Sequence, residues 1–242
     1  MIVKHVTNAL RRQDWVAVAI EFLLVVVGVL LAFQINEWAS GHEAKLAREA
    51  STERLLSEAE EDVLYFEQGI KERQAIIADL SFALDRLQQG KWSRADEARI
   101  RSGVTKSIYL GSPAPPSGIY DEIVASGMLG QIGDPRLRSS IGVYHSKLAL
   151  LSQLVDFIKQ IAPKLDREES VWYSYDAAGS RPAWLDIDFA ALERDRKLKS
   201  SLALMNDRQW FILWNWKDTQ ASARRMCGEI GRAIGKRCEL RT

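Results

Sequence analysis

Two kinds of hydrophobic pattern succeed each other along the chain, one continuous and one periodic. From Phe22 to Phe33 every residue is apolar or glycine, and the apolar run Trp15 to Ile20 precedes it with only Glu21 between. Gln34 and Asn36 mark a polar exit before Trp38. A helix from Trp15 to Trp38 would rise through roughly 35 Å, the hydrocarbon core of a bilayer with a margin at each face. The second pattern begins at Glu43 and lasts to Gln89, with no proline and Gly69 as the only glycine. Leu56, Ala59, Val63, Phe66, Ile70, Ile77, Leu80, Leu84 and Leu87 recur at the three-four spacing of a coiled-coil stripe, with Arg73 as the single misfit. The spacing predicts a long amphipathic helix whose stripe faces either the same chain or a second copy. Further stripes downstream favour the same chain.

Gly90 ends that helix, and Ser93-Arg94-Ala95-Asp96 has the form of a capping box opening a shorter one. Residues 111–118, GSPAPPSG, read as a stiff loop, with Ser117 placed to cap a helix through Ile123. The glycines at 127, 130 and 133 have neither the preceding strand nor the order of a phosphate-cradling loop. Gly127 instead ends a helix, Met128, Leu129 and Ile132 tuck into the core, and Asp134-Pro135 caps and starts the next helix. That helix carries Leu137, Ile141, Tyr144, Leu148, Leu151, Val155 and Ile158 in one stripe and ends near Pro163. The octets DPRLRSSI at Asp134 and DRKLKSSL at Asp195 share residue classes at equal offsets, which suggests two helices that begin alike. The second runs through WFILWNW, residues 210–216, toward Arg225. Trp210 and Trp214, one turn apart, are expected to form a core plug or, with Trp216, the wall of an apolar pocket, with docking on a membrane surface as a further alternative.

Charge and chemistry change the picture little. The net charge of +1, from 33 basic and 32 acidic residues, gives no global field to attract nucleic acid. His5, His42 and His145 are the only histidines and assemble neither a zinc set nor a Ser-His-Asp group. Acid pairs such as Glu60-Glu61 and Glu168-Glu169 fall in charged stretches that read as solvated faces. No catalytic residue, metal or cofactor is therefore expected, and the chain reads as a non-enzyme.

The span decides the compartment. Lys4, Arg11 and Arg12 precede it, whereas Glu37, Glu43, Lys45, Arg48 and Glu49 follow it without basic excess, so the positive-inside rule keeps the N-terminus in the cytoplasm. Ala39-Ser40-Gly41 offers small residues for signal cleavage, but the apolar stretch is long for a signal peptide. A buried soluble helix would carry a polar flank that Phe22 to Phe33 lacks. Glu21, a turn inside the boundary, either snorkels to the interface or meets a neighbouring span, and Gly28 and Ala32 provide a small-xxx-small seam beside it. In an oxidising space Cys227 and Cys238 are expected to pair. Straight helix would hold them roughly 16 Å apart, so the chain must bend, and Gly228, Gly231 and Gly235 offer places for it. Bonds between copies and free thiols are the alternatives.

QDWVAVAIEFLLVVVGVLLAFQINEW, residues 13–38, and YDEIVASGMLGQIGDPRLRSSIGVYH, residues 120–145, carry a resemblance. Both blocks are similar to an uncharacterised bacterial family of single-span inner-membrane proteins with a periplasmic helical domain. The chain departs from the family in Trp38-Ala39, where Trp-Asn is usual, and in its many C-terminal tryptophans. The resemblance implies topology and setting, and brings no activity or catalytic residue with it.

The expected protein is all-α: a cytoplasmic tail 1–14, a transmembrane helix 15–38, and an elongated periplasmic bundle 39–242 of three long helices and several short ones. So short a tail holds no output domain, so any signal passes through the bilayer to another membrane protein or to a second copy, by way of Glu21, Gly28 and Ala32. The leading expectation is a non-catalytic interaction or accessory protein. A ligand-binding sensor built around Trp210, Trp214 and Trp216 is the alternative, its small molecule unidentified, and an envelope hydrolase is the third.

Overall fold

The computed structural model describes residues 15–162 and 187–240, with side chains from Ile20 onward. It is all-helical, with no β-strand among the described residues. Six helices occur there: α1 (Trp15–Gln89), α2 (Glu97–Lys106), α3 (Gly118–Ala125), α4 (Pro135–Ile161), α5 (Phe189–Arg194) and α6 (Arg196–Ala233), with a 3-10 turn at Met128–Gln131 between α3 and α4. The chain divides into two compact units, Met1–Ser51 and Thr52–Thr242. The expected cytoplasmic tail, His5, Pro163 and the pair Glu168-Glu169 lie outside the described residues, whereas the expected end of α4 near Pro163 is met, the helix stopping at Ile161 with Ala162 extended.

In the first unit, the apolar part of α1 is long and apolar enough to cross a membrane, and none of that apolar window is buried by protein. Phe22, Leu23, Leu24 and Phe33 each expose more than half of their surface. Glu21, Gly28 and Ala32 are exposed on this stretch.

The second unit is built on the periodic part of α1. Each of its nine stripe residues from Leu56 to Leu87 is buried, so the stripe is used within the chain. Against it lie α4, through Leu137, Ile141, Tyr144, Leu151, Val155 and Ile158, and α6, through Leu198, Leu202, Met205, Ile212, Leu213, Trp216 and Met226. The pairs Glu67–Arg224, Arg73–Gln209 and Ser81–Asn206 run α6 antiparallel to α1, and Lys147–Asp218 with Arg208 donating to the Ile161 carbonyl runs it antiparallel to α4. Three long helices thus share one core, their stripes meeting as in an antiparallel bundle.

The helix starts follow the local chemistry with two amendments. Asp134 Oδ1 accepts from the Arg136 and Leu137 N–H groups, and Asp195 Oδ1 accepts from the Leu198 N–H. The echo between the two octets is therefore a shared N-terminus: an Asp cap with a buried leucine three residues on. The Ser93–Asp96 box is half formed. The Asp96 carboxylate accepts from the Ser93 N–H and hydroxyl, but α2 begins only at Glu97. Ser117 does not cap α3, because its hydroxyl donates to Asp121. The cap comes from Glu58 on α1, whose two carboxylate oxygens accept from the Ile119 and Tyr120 N–H groups at 2.7 and 3.0 Å.

Cys227 and Cys238 form an internal disulfide with Cα atoms 5.6 Å apart. After Ala233 the chain reverses through Gly235 at φ +69, which suits only glycine, and the Lys236 N–H donates to the Gly231 carbonyl. The returning tail then lies on α1, with Lys236 paired to Glu53 and the Glu239 N–H donating to Glu60. Closing this short loop stabilises by about 3 kcal/mol in the chain-entropy account. Reduction, or the double substitution Cys227→Ala/Cys238→Ala, is expected to lower unfolding free energy by about that amount in denaturant titrations. An unchanged midpoint would show that the tail contributes nothing to the bundle.

Candidate functional site

One helix supplies three charged side chains to the core face of the second unit: Glu58, Asp62 and Arg73, each under 10% exposed. Glu58 is spent on the α3 cap. The other two define distinct environments.

Arg73 replaces an aliphatic residue in the α1 stripe and is only 5% exposed. Its Nη1 donates to Gln209 Oε1 at 2.6 Å, and its Nη2 makes a long contact of 3.4 Å with the Gly111 carbonyl. The guanidinium carbon sits 5.2 Å from the centre of the Trp216 ring, close enough for cation–π attraction. Nε is buried without a partner, and among the described residues no carboxylate pairs with the group. Burial lowers its pKa to about 10, so it stays charged at neutral pH.

Gln209, fully buried on α6, joins the guanidinium to the loop after α2 by donating to the Ser107 and Tyr109 carbonyls at 3.1 and 3.0 Å. The same loop is held at Ala114, whose N–H donates to the Tyr65 hydroxyl, and at Ser112, which donates to Asp156 and accepts from Lys159. Its proline-rich composition suits a fixed roof. Between this roof and α1 opens a cleft of about 540 Å³, walled by Tyr65, Gly69, Arg73, Ile76, Tyr109 and Trp216, with Glu61, Gln68 and Glu72 exposed around it. The size suits a small organic ligand. Tyr65 and Trp216 stack 5.9 Å apart, and Gly69 leaves the room that the indole occupies, since a Cβ there would run into the Trp216 ring.

The expected tryptophan cluster is corrected by this geometry. Trp216 is buried and lines the cleft, but Trp210 and Trp214 are 53% and 65% exposed and form neither a core plug nor a wall of it. The register of α6 decides this. Extending the buried positions Leu198, Leu202 and Met205 by three-four steps lands on Gln209, Ile212 and Trp216, and passes by Trp210 and Trp214.

Asp62, about three turns before Arg73 on the same helix, is 2% exposed and faces the buried Tyr144 hydroxyl. Desolvation raises its pKa to about 7, the Tyr144 hydroxyl pulls it back, and Glu58 and Glu61 push it up further. The Tyr144 pKa is driven upward, by burial first and by Asp62 next. His145, beside it, stacks on Tyr120, and burial lowers its pKa to about 4, which makes it a neutral packing group at pH 7. Glu60 lies near both cysteine sulfurs, but these are committed to the disulfide and leave no thiolate for a metal.

The raised Asp62 pKa makes a signed prediction. Between the unfolded carboxyl value near 4 and the folded value of about 7 the native state holds a proton that the unfolded state has lost. The Asp62 contribution to stability is therefore full below pH 4 and declines as pH rises to about 7. Asp62→Asn is expected to remove that decline, so its urea midpoint should gain on wild type from pH 5 to pH 8. A constant difference between the two proteins across that range would refute the assignment. Compared with family models, with curated proteins and with solved structures, the chain shows no significant match.

Proposed function

We propose that the chain is a single-pass protein of the bacterial inner membrane, with its N-terminus in the cytoplasm and its helical unit in the periplasm, where the unit binds a small ligand without transforming it. The carrying observation is the cleft itself: about 540 Å³, aromatic-walled, with a buried guanidinium at its edge that no carboxylate of the described residues answers. The setting is supported by the charge asymmetry around the span, by the disulfide in the second unit, and by the resemblance of residues 13–38 and 120–145 to periplasm-facing single-span proteins. This moves the sensor site from the three tryptophans to Trp216, Arg73 and the loop 107–117.

A membrane accessory role is the second reading, and it complements the first. Glu21, Gly28 and Ala32 recur at seven and four residues, one face of a helix, and the space around Gly28 is open within 4 Å. A second span, of a partner protein or of another copy, is the occupant this reading names.

Two measurements separate these readings. In saturation-transfer NMR on the full chain in nanodiscs, a panel of small acids, amides and amines should contain binders that Gln68→Trp, which fills the cleft from an exposed position, no longer retains. Binding that survives Gln68→Trp would place the site elsewhere. Crosslinking in native membranes should capture a neighbouring span that is lost with Glu21→Gln, and identical capture from both proteins would remove the lateral contact.

A further inference from the structure

The ligand class is written in the imbalance around Arg73. If its only task were to tie the loop after α2 to the bundle, a neutral amide would serve, since Gln209 already holds the Ser107 and Tyr109 carbonyls. A guanidinium instead carries a full charge into the protein, at a cost that Gln209, one carbonyl and the Trp216 face offset only in part. Among the described residues two of its five N–H donors are engaged, and Nε–H is buried and unpartnered. Arg73 lines the cleft. Among the described residues it faces no anion, and a planar carboxylate matches its fork of donors.

The walls limit the rest of the molecule. Tyr65 and Trp216 present aromatic surface, Ile76 adds aliphatic surface, and Tyr109, largely exposed, flanks the opening. Glu61 and Glu72 stand exposed around the cleft and disfavour a second negative charge on the ligand.

We infer that the cleft between α1 and the loop 107–117 is a binding site for a monocarboxylate carried on a flat apolar body, its carboxylate seated on Arg73 and its body against Tyr65 and Trp216. The inference rests on the ligand-binding reading above and assigns its chemistry. Arg73 is the specificity-determining residue, and the aromatic wall provides affinity shared by charged and neutral analogues.

The test uses the full chain in nanodiscs and four probes that differ only in the group on one ring: phenylacetate, phenylacetamide, phenethylamine and phenyl phosphate, titrated by calorimetry and saturation-transfer NMR. Phenylacetate is expected to bind about tenfold or more tighter than the amide, because a charge-assisted bidentate contact replaces a neutral one. Phenethylamine should bind weakest, and phenyl phosphate should fall below phenylacetate. Arg73→Met should bring the acid down to the level of the amide while leaving the amide itself bound, and Arg73→Lys should keep part of the preference. The charge series on the wild-type protein decides the matter even where Arg73→Met fails to fold. Equal binding of acid and amide overturns the carboxylate assignment and leaves the ligand-binding reading standing. Tightest binding of phenyl phosphate overturns it in favour of a phosphate site. Silence from all four probes overturns both.

Discussion

A positive charge taken out of water must be answered by something, and in this protein the answer organises the surroundings. Arg73 occupies a position in the α1 stripe where an aliphatic residue would continue the core. Its neighbours are arranged for a cation: the Gln209 amide oxygen, the Gly111 carbonyl and the face of Trp216. Gln209 is itself fully buried, and it relays the contact to two further carbonyls of the loop after α2. Removing either partner leaves polar groups stranded in the interior, a larger penalty than losing the same hydrogen bonds at the surface. The loop, the guanidinium and the indole are thus set by one buried network, and the cleft is the space between them.

The same helix face carries two other departures from a purely apolar stripe. Glu58 reaches across to the N–H groups at the start of α3, where a carboxylate is favoured by both hydrogen bonding and the helix dipole. Asp62 is held protonated toward neutrality by its burial, with Glu58 and Glu61 adding to the effect and the Tyr144 hydroxyl opposing it. Three buried charged residues of one helix thus do three jobs: a cap, a carboxyl that burial keeps protonated, and a charged wall. The disulfide acts at the other end of α6, where the returning tail is pinned to α1 between Glu53 and Glu60.

Much of this fold was legible in the sequence because it is local. The α1 stripe, the Asp caps at 134 and 195, the stop at Gly90 and the bend that brings Cys227 to Cys238 each depend on residues within a few turns of one another. The site was less legible because it is not local. Arg73 stood out as a misfit, but its meaning depends on Gln209, far along the chain, and on a loop tied down by Tyr65. Glu58 gave no sign of capping a helix that starts sixty residues later. The tryptophans were misplaced for a different reason: residue type suggested burial, and the register of α6 overruled it for Trp210 and Trp214. A register argument carried from Leu198 would have found Gln209 and Trp216 as the inward pair.

Whether a ligand carboxylate completes the buried charge of Arg73 is decided by seeing where such a carboxylate goes. Crystals of the full chain grown with 4-bromophenylacetate, measured at the bromine absorption edge, would locate the ring by its anomalous peak and the carboxylate by the density beside it. The bromine is expected in the cleft against Tyr65 and Trp216, with the carboxylate on the Arg73 guanidinium. An empty cleft, or a ring seated there with its carboxylate turned out toward solvent, would contradict this assignment.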